Sequence, residues 1–445
     1  MKFVIIGGDA AGMSAASRAK RNKPDMDVIV FEQTQDVSYS ACGMPYNIAD
    51  SNRQMNDLVV RQANVFREKQ KIDLKTGHRV ESIDIKENKI YGMNQEGQPF
   101  FCNYDHLLIA TGASPVIPKL PGFDLPGTFV LKSLADGRYL KNKLDKNVQK
   151  AVIVGMGYIA LEMAEAFQTR GIDVSMIKPG PQLLPWLSRT LADKVYQELC
   201  DHHINLFAGH EIDCIEPFEN QLCVISKDIN LKCDIVLTAI GVKPNSHIAK
   251  DAGLVSGASG AILVKNTMQT SEENIYAAGD CADAYHLVSG QRVWIPLALY
   301  ANRGGWATAD NIIGKKTIVP GIVGTSVFKV FNMEVARTGL NVMDAQKAGF
   351  DPIEMVIQSR SRAHAHPGSC PIDVSMVADK KSGQLLGVQM VGLEGVAHRI
   401  NAAAIALHAK MNIENFASSD LAYAPPFSPV WDPILVAANQ LLKKL

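Results

Sequence analysis

The sequence of 445 residues predicts an α/β protein with two parallel-sheet units and a C-terminal region of mixed strands and helices. Three observations lead to this fold class. A strand, glycine turn, helix and strand follow one another from Phe3, and the same order recurs from Lys150. From about Gly321, three strands (Thr325 to Phe331, Pro352 to Ile357 and Leu385 to Val391) and then helices follow without a glycine turn. The chain is also too long for one hydrophobic core, so several domains are expected.

The first unit has the spacing of a dinucleotide-binding βαβ motif. Its parts are the strand Phe3 to Ile6, the turn Gly7 to Gly12, the helix from about Ala10 to Lys20, and the strand Asp27 to Phe31. Gly7 and Gly12 allow a tight turn close to a pyrophosphate at the helix N-terminus, and Glu32, twenty residues after Gly12, is placed to bind a ribose diol. Asp9 stands where glycine is usual, so we expect its side chain to turn away from the phosphates.

The second unit predicts a second nucleotide site. It comprises the strand Lys150 to Val154, the turn Gly155-Met156-Gly157, the helix Tyr158 to about Thr169, and the strand Asp173 to Ile177. Lys178 stands at the strand end where an acid would bind a ribose 2′-hydroxyl. A lysine there can accommodate a 2′-phosphate or can simply be solvated. The hypothesis is that NADPH is used at least as well as NADH.

Three further segments combine a short apolar strand with a glycine turn. They end in Ala110-Thr111-Gly112, in Ala239-Ile240-Gly241 and in Ala278-Gly279-Asp280. A strand that ends in Gly-Asp can place the carboxylate of Asp280 on a polyol hydroxyl, although Gly-Asp is also a common turn.

Cys42 is the candidate redox group. It lies in the run Ser38 to Tyr46, among small residues and a proline, and the next cysteine is Cys102. A thiol in this setting is accessible and has no neighbour for a local disulfide. A buried structural cysteine is the alternative reading, which the surrounding nucleotide motifs disfavour.

Composition excludes several classes of function. Lys and Arg number 45, as do Asp and Glu, so no nucleic-acid or anionic-membrane surface is indicated. The eight cysteines include no CxxC pair, which argues against zinc and against a secreted disulfide framework. We therefore expect no metal site, no membrane span and a cytoplasmic protein.

Taken in order, these motifs resemble the FAD-dependent pyridine nucleotide–disulfide oxidoreductases over essentially the whole chain. The lone Cys42 and the C-terminal run Tyr423 to Pro433 resemble the single-cysteine branch. That branch includes coenzyme A-disulfide reductases, NAD(P)H persulfide or polysulfide reductases, NADH oxidases and NADH peroxidases. The resemblance implies three domains: an FAD-binding domain (1–112 and 241–320), an NAD(P)H-binding domain (113–240) and a dimerisation domain (321–445).

The resemblance also implies roles for individual residues. FAD would be bound by Gly7, Gly12, Glu32, Ala110, Thr111, Gly112, Asp280 and Ala298. NADPH or NADH would be bound by Gly155, Gly157, Tyr158, Glu162 and Lys178, with Tyr158 as an aromatic lid. Electrons would pass through the flavin to Cys42, whose thiol is expected to have a pKa depressed by a helix N-terminus and the flavin. Tyr423 would approach the redox sulfur across a homodimer interface, so that the active sites are shared.

Two positions bear on the substrate. Oxidases and peroxidases of the branch carry a histidine where this chain has Ala10, which favours sulfur chemistry, with coenzyme A bound at Cys42. Arg18, Lys20 and Arg21 are candidate partners for the phosphates of a CoA-type substrate, or an ordinary solvated helix face. His366 stands where CoA-disulfide reductases often have a tyrosine, and is a candidate proton donor or a surface residue.

Three functions therefore remain open. The first is reduction of a CoA-type disulfide, persulfide or polysulfide. The second is an NADH oxidase that reduces oxygen through a Cys42 sulfenate. The third is a flavin redox sensor with little turnover.

Overall fold

The computed structural model describes residues 1–445. The first region contains β1 (Lys2–Ile6), α1 (Ala10–Asn22), β2 (Asp27–Glu32), α2 (Met44–Ala49), α3 (Ala63–Glu68), β3 (Asp73–Thr76), β4 (His78–Asp84), β5 (Lys89–Asn94), β6 (Pro99–Asn103) and β7 (His106–Ile109). Short 3-10 turns occupy Ala41–Gly43 and Met55–Leu58.

The second region contains the other parallel-sheet unit. Its elements are β8 (Ala113–Pro115), β9 (Thr128–Phe129), α4 (Leu134–Leu144), β10 (Lys150–Val154), α5 (Tyr158–Thr169), β11 (Asp173–Lys178), α6 (Arg189–Asp201), β12 (Asn205–Ala208), β13 (Ile212–Phe218), β14 (Gln221–Ser226), β15 (Ile229–Cys233) and β16 (Ile235–Thr238).

The chain then returns to the first unit before the C-terminal region. The returning elements are β17 (Val242–Pro244), α7 (His247–Asp251), β18 (Ile275–Ala277), β19 (Ala284–Tyr285), β20 (Arg292–Val293) and α8 (Ala298–Ile312). The C-terminal elements are β21 (Ser326–Val330), β22 (Met333–Gly339), α9 (Val342–Lys347), β23 (Pro352–Arg360), β24 (Pro371–Asp379), β25 (Leu385–Gly392), α10 (Val396–His408), α11 (Ile413–Ala417) and α12 (Pro433–Leu442).

The sheets confirm the predicted fold class. Two five-stranded parallel sheets have the orders β18-β7-β1-β2-β3 and β12-β11-β10-β16-β9. In each, the first strand of the glycine motif lies in the middle, where both faces are covered and continuous apolar runs are favoured. The C-terminal region forms an antiparallel sheet of order β21-β22-β25-β24-β23.

Strand β18 and helix α8 join the sheet and core of the first unit although they come much later in the chain. One core cluster combines residues from Phe3 to Ile109 with residues from Ile248 to Ile322. Helix α8 packs so closely on α1 that a Cβ added to Gly305 would lie 2.3 Å from the backbone oxygen of Ala11. This close approach requires glycine at position 305.

The predicted elements agree well with the observed ones in both glycine motifs. The strand Lys150–Val154 and the helix Tyr158–Thr169 have the predicted bounds. In the C-terminal region, the three predicted strands are present, but the sheet also contains β22 and β24, which the sequence analysis did not identify. None of the helices is both long and apolar enough to cross a membrane.

The α1–α8 contact leads to a stability prediction. Gly305→Ala should lower the free energy of unfolding by about 1–3 kcal/mol, because the added methyl group meets backbone that cannot move independently of its helix. Urea unfolding followed by circular dichroism measures this difference.

Gly304→Ala in the same helix is the matched control. Its added Cβ would lie 3.1 Å from the flexible side chain of Met268 and from the Cβ of Ala278, so it should be tolerated better. Equal losses for the two variants would contradict the proposed steric constraint.

Candidate functional site

The first glycine turn brings the start of α1 against the end of β7. Gly7 has φ +110°, and a Cβ there would lie 2.1 Å from the oxygen of Ala110. Its amide donates to the Phe31 oxygen at 2.8 Å, and the Ala110 amide donates to the Ile6 oxygen at 2.8 Å. A Cβ at Gly12 would lie 1.9 Å from the Gly7 oxygen. The backbone is therefore close to the helix N-terminus, as a bound pyrophosphate requires.

Three carboxylates lie at the same edge of this sheet or beside it. Glu32 ends β2 and accepts hydrogen bonds from the Gly8 amide at 2.7 Å and from the backbone and hydroxyl of Thr34. Asp280 follows β18 and pairs with Lys132 at 3.1 Å. Asp9 precedes α1, and its carboxyl accepts a backbone hydrogen bond from Tyr39; burial, followed by the charges of Glu32 and Asp280, raises its pKa to about 6. This arrangement fits an extended dinucleotide along the carboxyl ends of β1, β2 and β18.

The structure also places three other residues that were predicted for this site. The Thr111 hydroxyl donates to the Asn245 backbone oxygen at 2.6 Å, and the Asn245 amide donates back to the Thr111 oxygen at 2.9 Å. Thr111 thus links the segment in which the chain leaves the first unit to the segment in which it returns to it. Ala298 is exposed at the first position of α8, and Gly112 has φ +70° at the turn that leaves β7.

The second glycine turn repeats this geometry beside a cavity of about 370 Å³. Gly155 has φ +117°, and a Cβ there would lie 2.3 Å from the Ala239 oxygen. Gly157, Tyr158 and Lys178 line the cavity together with Trp186. The Lys178 ammonium donates to the Gln182 backbone oxygen at 2.7 Å, and burial lowers its pKa. The cavity is open to a nucleotide, and a cation lies at its strand-end side.

Cys42 is exposed in the 3-10 turn that leads into α2. Helix α2 begins with Met44 and Pro45, where a missing N–H has no cost, and Met44 and Ile48 are buried in the core of the second unit. The ammonium of Lys141 from α4 donates to backbone oxygens at the end of α2, among them that of Asn47 at 2.7 Å. Cys42 is therefore held at the junction of the two units by the packing of the helix that follows it.

The chain's own side chains raise the pKa of the Cys42 thiol, whereas the predicted depression depends on a helix N-terminus and the flavin. Partial loss of hydration is the largest cause of the rise, followed by the negative charge of Glu162, while Lys132 acts in the opposite direction. Lys132 was not identified from the sequence, since nothing local marks it.

Glu162 and Tyr158, predicted for the NAD(P)H site, lie near Cys42 together with Tyr46, which was not predicted for any site. The Tyr46 hydroxyl donates to Glu162 Oε1 at 2.8 Å. Burial raises the pKa of Glu162 to about 7, and this hydrogen bond opposes the rise. The Tyr158 ring is half exposed and lies 6.1 Å from the ring of Phe328. The spacing of Cys42 and Tyr46, four residues apart, was the signal that could have linked them.

The predicted phosphate-binding residues separate into two environments. Arg18 donates from Nε and Nη2 to Asp310 at 3.0 and 2.8 Å, so its charge is neutralised within the chain. Arg21 is exposed on a recess of about 330 Å³ whose eight lining residues include five cations and no carboxylate. The lining residues are Ser17, Lys20, Arg21, Pro24, Arg61, Lys69, Gln70 and Lys71.

Tyr423 and His366 lie on neighbouring C-terminal loops. The Ala363 amide donates to the Pro425 oxygen at 3.1 Å, and the buried Arg399 donates to the backbone oxygens of Ser361 and Phe427. Tyr423 is half exposed, and its hydroxyl has no hydrogen-bond partner within the chain. Both loops thus form one surface, on which Phe427, Val430 and Trp431 are 62–74% exposed.

Fold and site together define an α/β protein with two glycine-turn units and an exposed cysteine at their junction. Residues 1–305 match the family model of the pyridine nucleotide-disulphide oxidoreductases, and residues 325–433 match the model of their dimerisation domain. The chain belongs to this family, which couples FAD and NAD(P)H, and it carries the region through which members form dimers.

Individual relatives extend the comparison over the whole chain. The CoA-dependent NAD(P)H sulfur oxidoreductase of Pyrococcus furiosus is 41% identical, and the match covers 99% of each chain. An NADH oxidase of Methanocaldococcus jannaschii is 34% identical, covering 100% of this chain and 99% of that protein. The structure of an NAD-dependent persulfide reductase from A. fulgidus has a TM-score of 0.97 and 34% identity, covering 100% of this chain and 83% of the other.

The charges around Cys42 lead to a prediction for Lys132. Lys132→Met should move the pH dependence of Cys42 labelling by a maleimide to higher pH, because the variant loses the cation that stabilises the thiolate. The labelling rate near neutral pH should fall accordingly, since the thiolate is the reactive form.

Lys250→Met, at an exposed position on α7, is the control and should keep the original profile. A profile of Lys132→Met displaced to lower pH would show that the sign of this interaction is wrong. Peptide mass spectrometry separates Cys42 from the other seven cysteines.

Proposed function

We propose that this oxidoreductase uses NAD(P)H to reduce CoA-type disulfides, persulfides or polysulfides at Cys42. The observation that carries the proposal is the combination of an exposed thiol at the junction of the two glycine-turn units with a basic recess lined by residues 17–24 and 61–71, before and after Cys42 in the sequence. A CoA derivative matches both features, because it carries phosphates for the basic recess at one end and sulfur for the thiol at the other. The CoA-dependent relative in Pyrococcus furiosus supports the same reading.

The basic recess supports a polyphosphate ligand. Arg21, Arg61 and Lys71 are exposed there with no carboxylate among the lining residues, so their charges are available to an anion. The side-chain oxygen of Gln70 is buried without a hydrogen-bond partner and is an acceptor for an N–H group of the ligand. We assign phosphate binding to Arg21 rather than Arg18, whose guanidinium already binds Asp310.

A backbone ladder connects this recess to the thiol. The amide of Val60 donates to the Ser38 oxygen at 2.9 Å, and the Ser40 amide donates to the Leu58 oxygen at 2.8 Å. The residue after Val60 is Arg61 in the recess, and two residues after Ser40 comes Cys42. A ligand with its phosphates in the recess can therefore follow this ladder toward Cys42.

The cofactor assignments follow the two glycine motifs. We propose that FAD lies along Gly7, Gly12, Glu32 and Asp280, with Ala110 and Ala298 beside it, in a domain of residues 1–112 and 241–320. When bound, FAD supplies two-electron chemistry between reduced nicotinamide and sulfur. The cavity at Gly155 and Gly157 in residues 113–240 would hold NAD(P)H. Lys178 at its edge suits a 2′-phosphate, which supports the use of NADPH.

The dimer is proposed to complete the active site. The surface with Tyr423 and His366, in residues 321–445, is apolar around Phe427 and Trp431, as expected for a face that is buried between subunits. Tyr423 has a free hydroxyl to donate to a sulfur of the other subunit, and His366, on the adjacent loop, is a candidate for proton transfer. Each redox centre would then combine Cys42 of one subunit with Tyr423 of the other.

Oxygen reduction is the second candidate because of the NADH oxidase in Methanocaldococcus jannaschii. Ala10 places a methyl group, with no proton donor, in the first glycine turn. The basic recess also has no use in a reaction with oxygen. Both features favour the sulfur substrate.

The substrate assignment is tested by anaerobic NAD(P)H consumption. CoA disulfide or a CoA persulfide should support rapid consumption, and Cys42→Ser should abolish it because the variant lacks the attacking thiolate. Consumption that requires oxygen would point to an oxidase, and negligible turnover with reversible Cys42 oxidation would point to a sensor. Either result would overturn the proposal.

The basic recess is tested by Arg21→Glu. The KM for CoA disulfide should rise about tenfold or more with kcat little changed, corresponding to at least about 1.4 kcal/mol of binding energy. An uncharged small disulfide should be reduced as before, since it makes no phosphate contacts.

The control is Lys23→Glu, which makes the same charge change two residues further on, outside the lining of the recess. It should raise the KM less than Arg21→Glu does. An equal rise for both variants would mean that the overall field, rather than the recess, attracts the substrate.

A further inference from the structure

Beside Cys42, Tyr46 and Glu162 form a hydrogen-bonded pair that none of the assignments above uses as an acid. Tyr46 lies on α2, one helical turn after Cys42, and Glu162 lies on α5, which packs against α2. Their oxygens are 2.8 Å apart. We propose that Tyr46 and Glu162 form a proton store for Cys42, in which Glu162 holds the proton and Tyr46 relays it to the departing thiolate.

The neighbouring groups leave Glu162 free for this role. On its own helix, Glu165 is engaged by Lys329 of β21 and by the Phe331 amide at 2.7 Å. Tyr158 is the other titratable group of α5 beside the site, and α2 with its preceding turn contributes Tyr46 and Cys42. Lys329 therefore balances Glu165, while Glu162 has the Tyr46 hydroxyl as its only side-chain hydrogen-bond partner.

The protonation state of the pair agrees with this assignment. Burial and the charge of Glu165 raise the pKa of Glu162 to about 7, so a large fraction of it carries a proton at neutral pH. Burial and the Glu162 charge raise the pKa of Tyr46, so the phenol stays protonated and can pass a proton on. Around the thiol, the cation of Lys132 faces the carboxylates of Asp280 and Asp9.

The proton step balances with the proposed function, on which this inference rests. The Cys42 thiolate attacks a disulfide RSSR′, forming a bond between Cys42 and SR while R′S⁻ leaves. Tyr46 donates its proton to R′S⁻ and receives the Glu162 proton, so R′SH departs and Glu162 becomes a carboxylate. Reduced nicotinamide then supplies two electrons, and the full cycle is RSSR′ + NAD(P)H + H⁺ → RSH + R′SH + NAD(P)⁺.

This exchange keeps a single negative charge on the pair formed by Cys42 and Glu162. Before attack, the charge is on Cys42 and Glu162 is neutral; after attack, Cys42 is uncharged in the mixed disulfide and Glu162 carries the charge. The unfavourable state is the one with both groups ionised, as the effect of Glu162 on the thiol pKa indicates. Because Tyr46 belongs to the same chain as Cys42, this store is separate from Tyr423.

The test is the pH dependence of Cys42 alkylation by iodoacetamide in the purified holoenzyme. In Glu162→Gln, the profile should move to lower pH by about one unit, because the charge that repels the thiolate is removed. In Tyr46→Phe, loss of the hydrogen bond should raise the pKa of Glu162, keep it neutral to higher pH, and move the Cys42 profile in the same direction by a smaller amount.

Tyr139→Phe is the matched control, because it removes an exposed tyrosine hydroxyl on α4 away from the thiol, and it should leave the profile unchanged. An unchanged profile in Glu162→Gln would overturn the proposal, as would an unchanged profile in Tyr46→Phe. The alkylation needs no disulfide substrate, so a wrong substrate assignment leaves this result intact, whereas the anaerobic assay reports on the substrate alone.

Discussion

The approach of two glycine turns to neighbouring strand ends is the constraint on which both nucleotide sites depend. Gly7 and Gly155 adopt positive φ, and in each case a Cβ would lie within 2.3 Å of a backbone oxygen, that of Ala110 or Ala239. Only glycine satisfies both conditions. As a result, each helix N-terminus lies at the carboxyl edge of its sheet, where the polar groups of the other strands converge. The same close approach of a glycine to a strand end thus occurs twice, at positions 148 residues apart.

The position of the Cys42 thiol depends on packing of the helix that follows it rather than on hydrogen bonds of its own. Met44 and Ile48 bury α2 in the core of the second unit, and Lys141 holds the carbonyl end of the same helix. Cys42, just before this helix, thus has a defined position while remaining exposed. Its ionisation is then set by Lys132 and Glu162, which come from other elements. Position and reactivity can therefore vary independently in the sequence.

Local patterns predicted the fold better than they predicted the site. The glycine motifs combine periodicity, turn residues and spacing within about thirty residues, so β10 and α5 were predicted with their observed bounds. Strand β24 was missed, although Ile372, Val374 and Met376 alternate with Asp373 and Ser375, a pattern that favours a strand. That Asp373 and Ser375 are buried as well follows from the place of β24 between β25 and β23, which is a property of the assembled fold.

Long-range partners account for the remaining differences at the site. Arg18 and Asp310 are 292 residues apart, and Lys132 and Asp280 are 148 apart, so no sequence window could pair them. The contribution of Glu162 to the pKa of Cys42 was not foreseen for the same reason, since Glu162 comes from a distant helix. Residue type and local spacing identified Cys42, Glu32 and the glycines as candidates; the charges that act on them required the three-dimensional structure.

The segregation of charge within a neutral chain connects substrate orientation with chemistry. Cations gather in the recess of Arg21 and Arg61, whereas the carboxylates of Asp9 and Asp280 lie close enough to the thiol to raise its pKa. A molecule with phosphates at one end and a neutral sulfur arm at the other is attracted to the first region and repelled by the second if reversed. The proposed CoA-type substrate would therefore enter in one orientation, with its sulfur toward Cys42. The same carboxylates that disfavour the thiolate thus select the end of the substrate that reaches it.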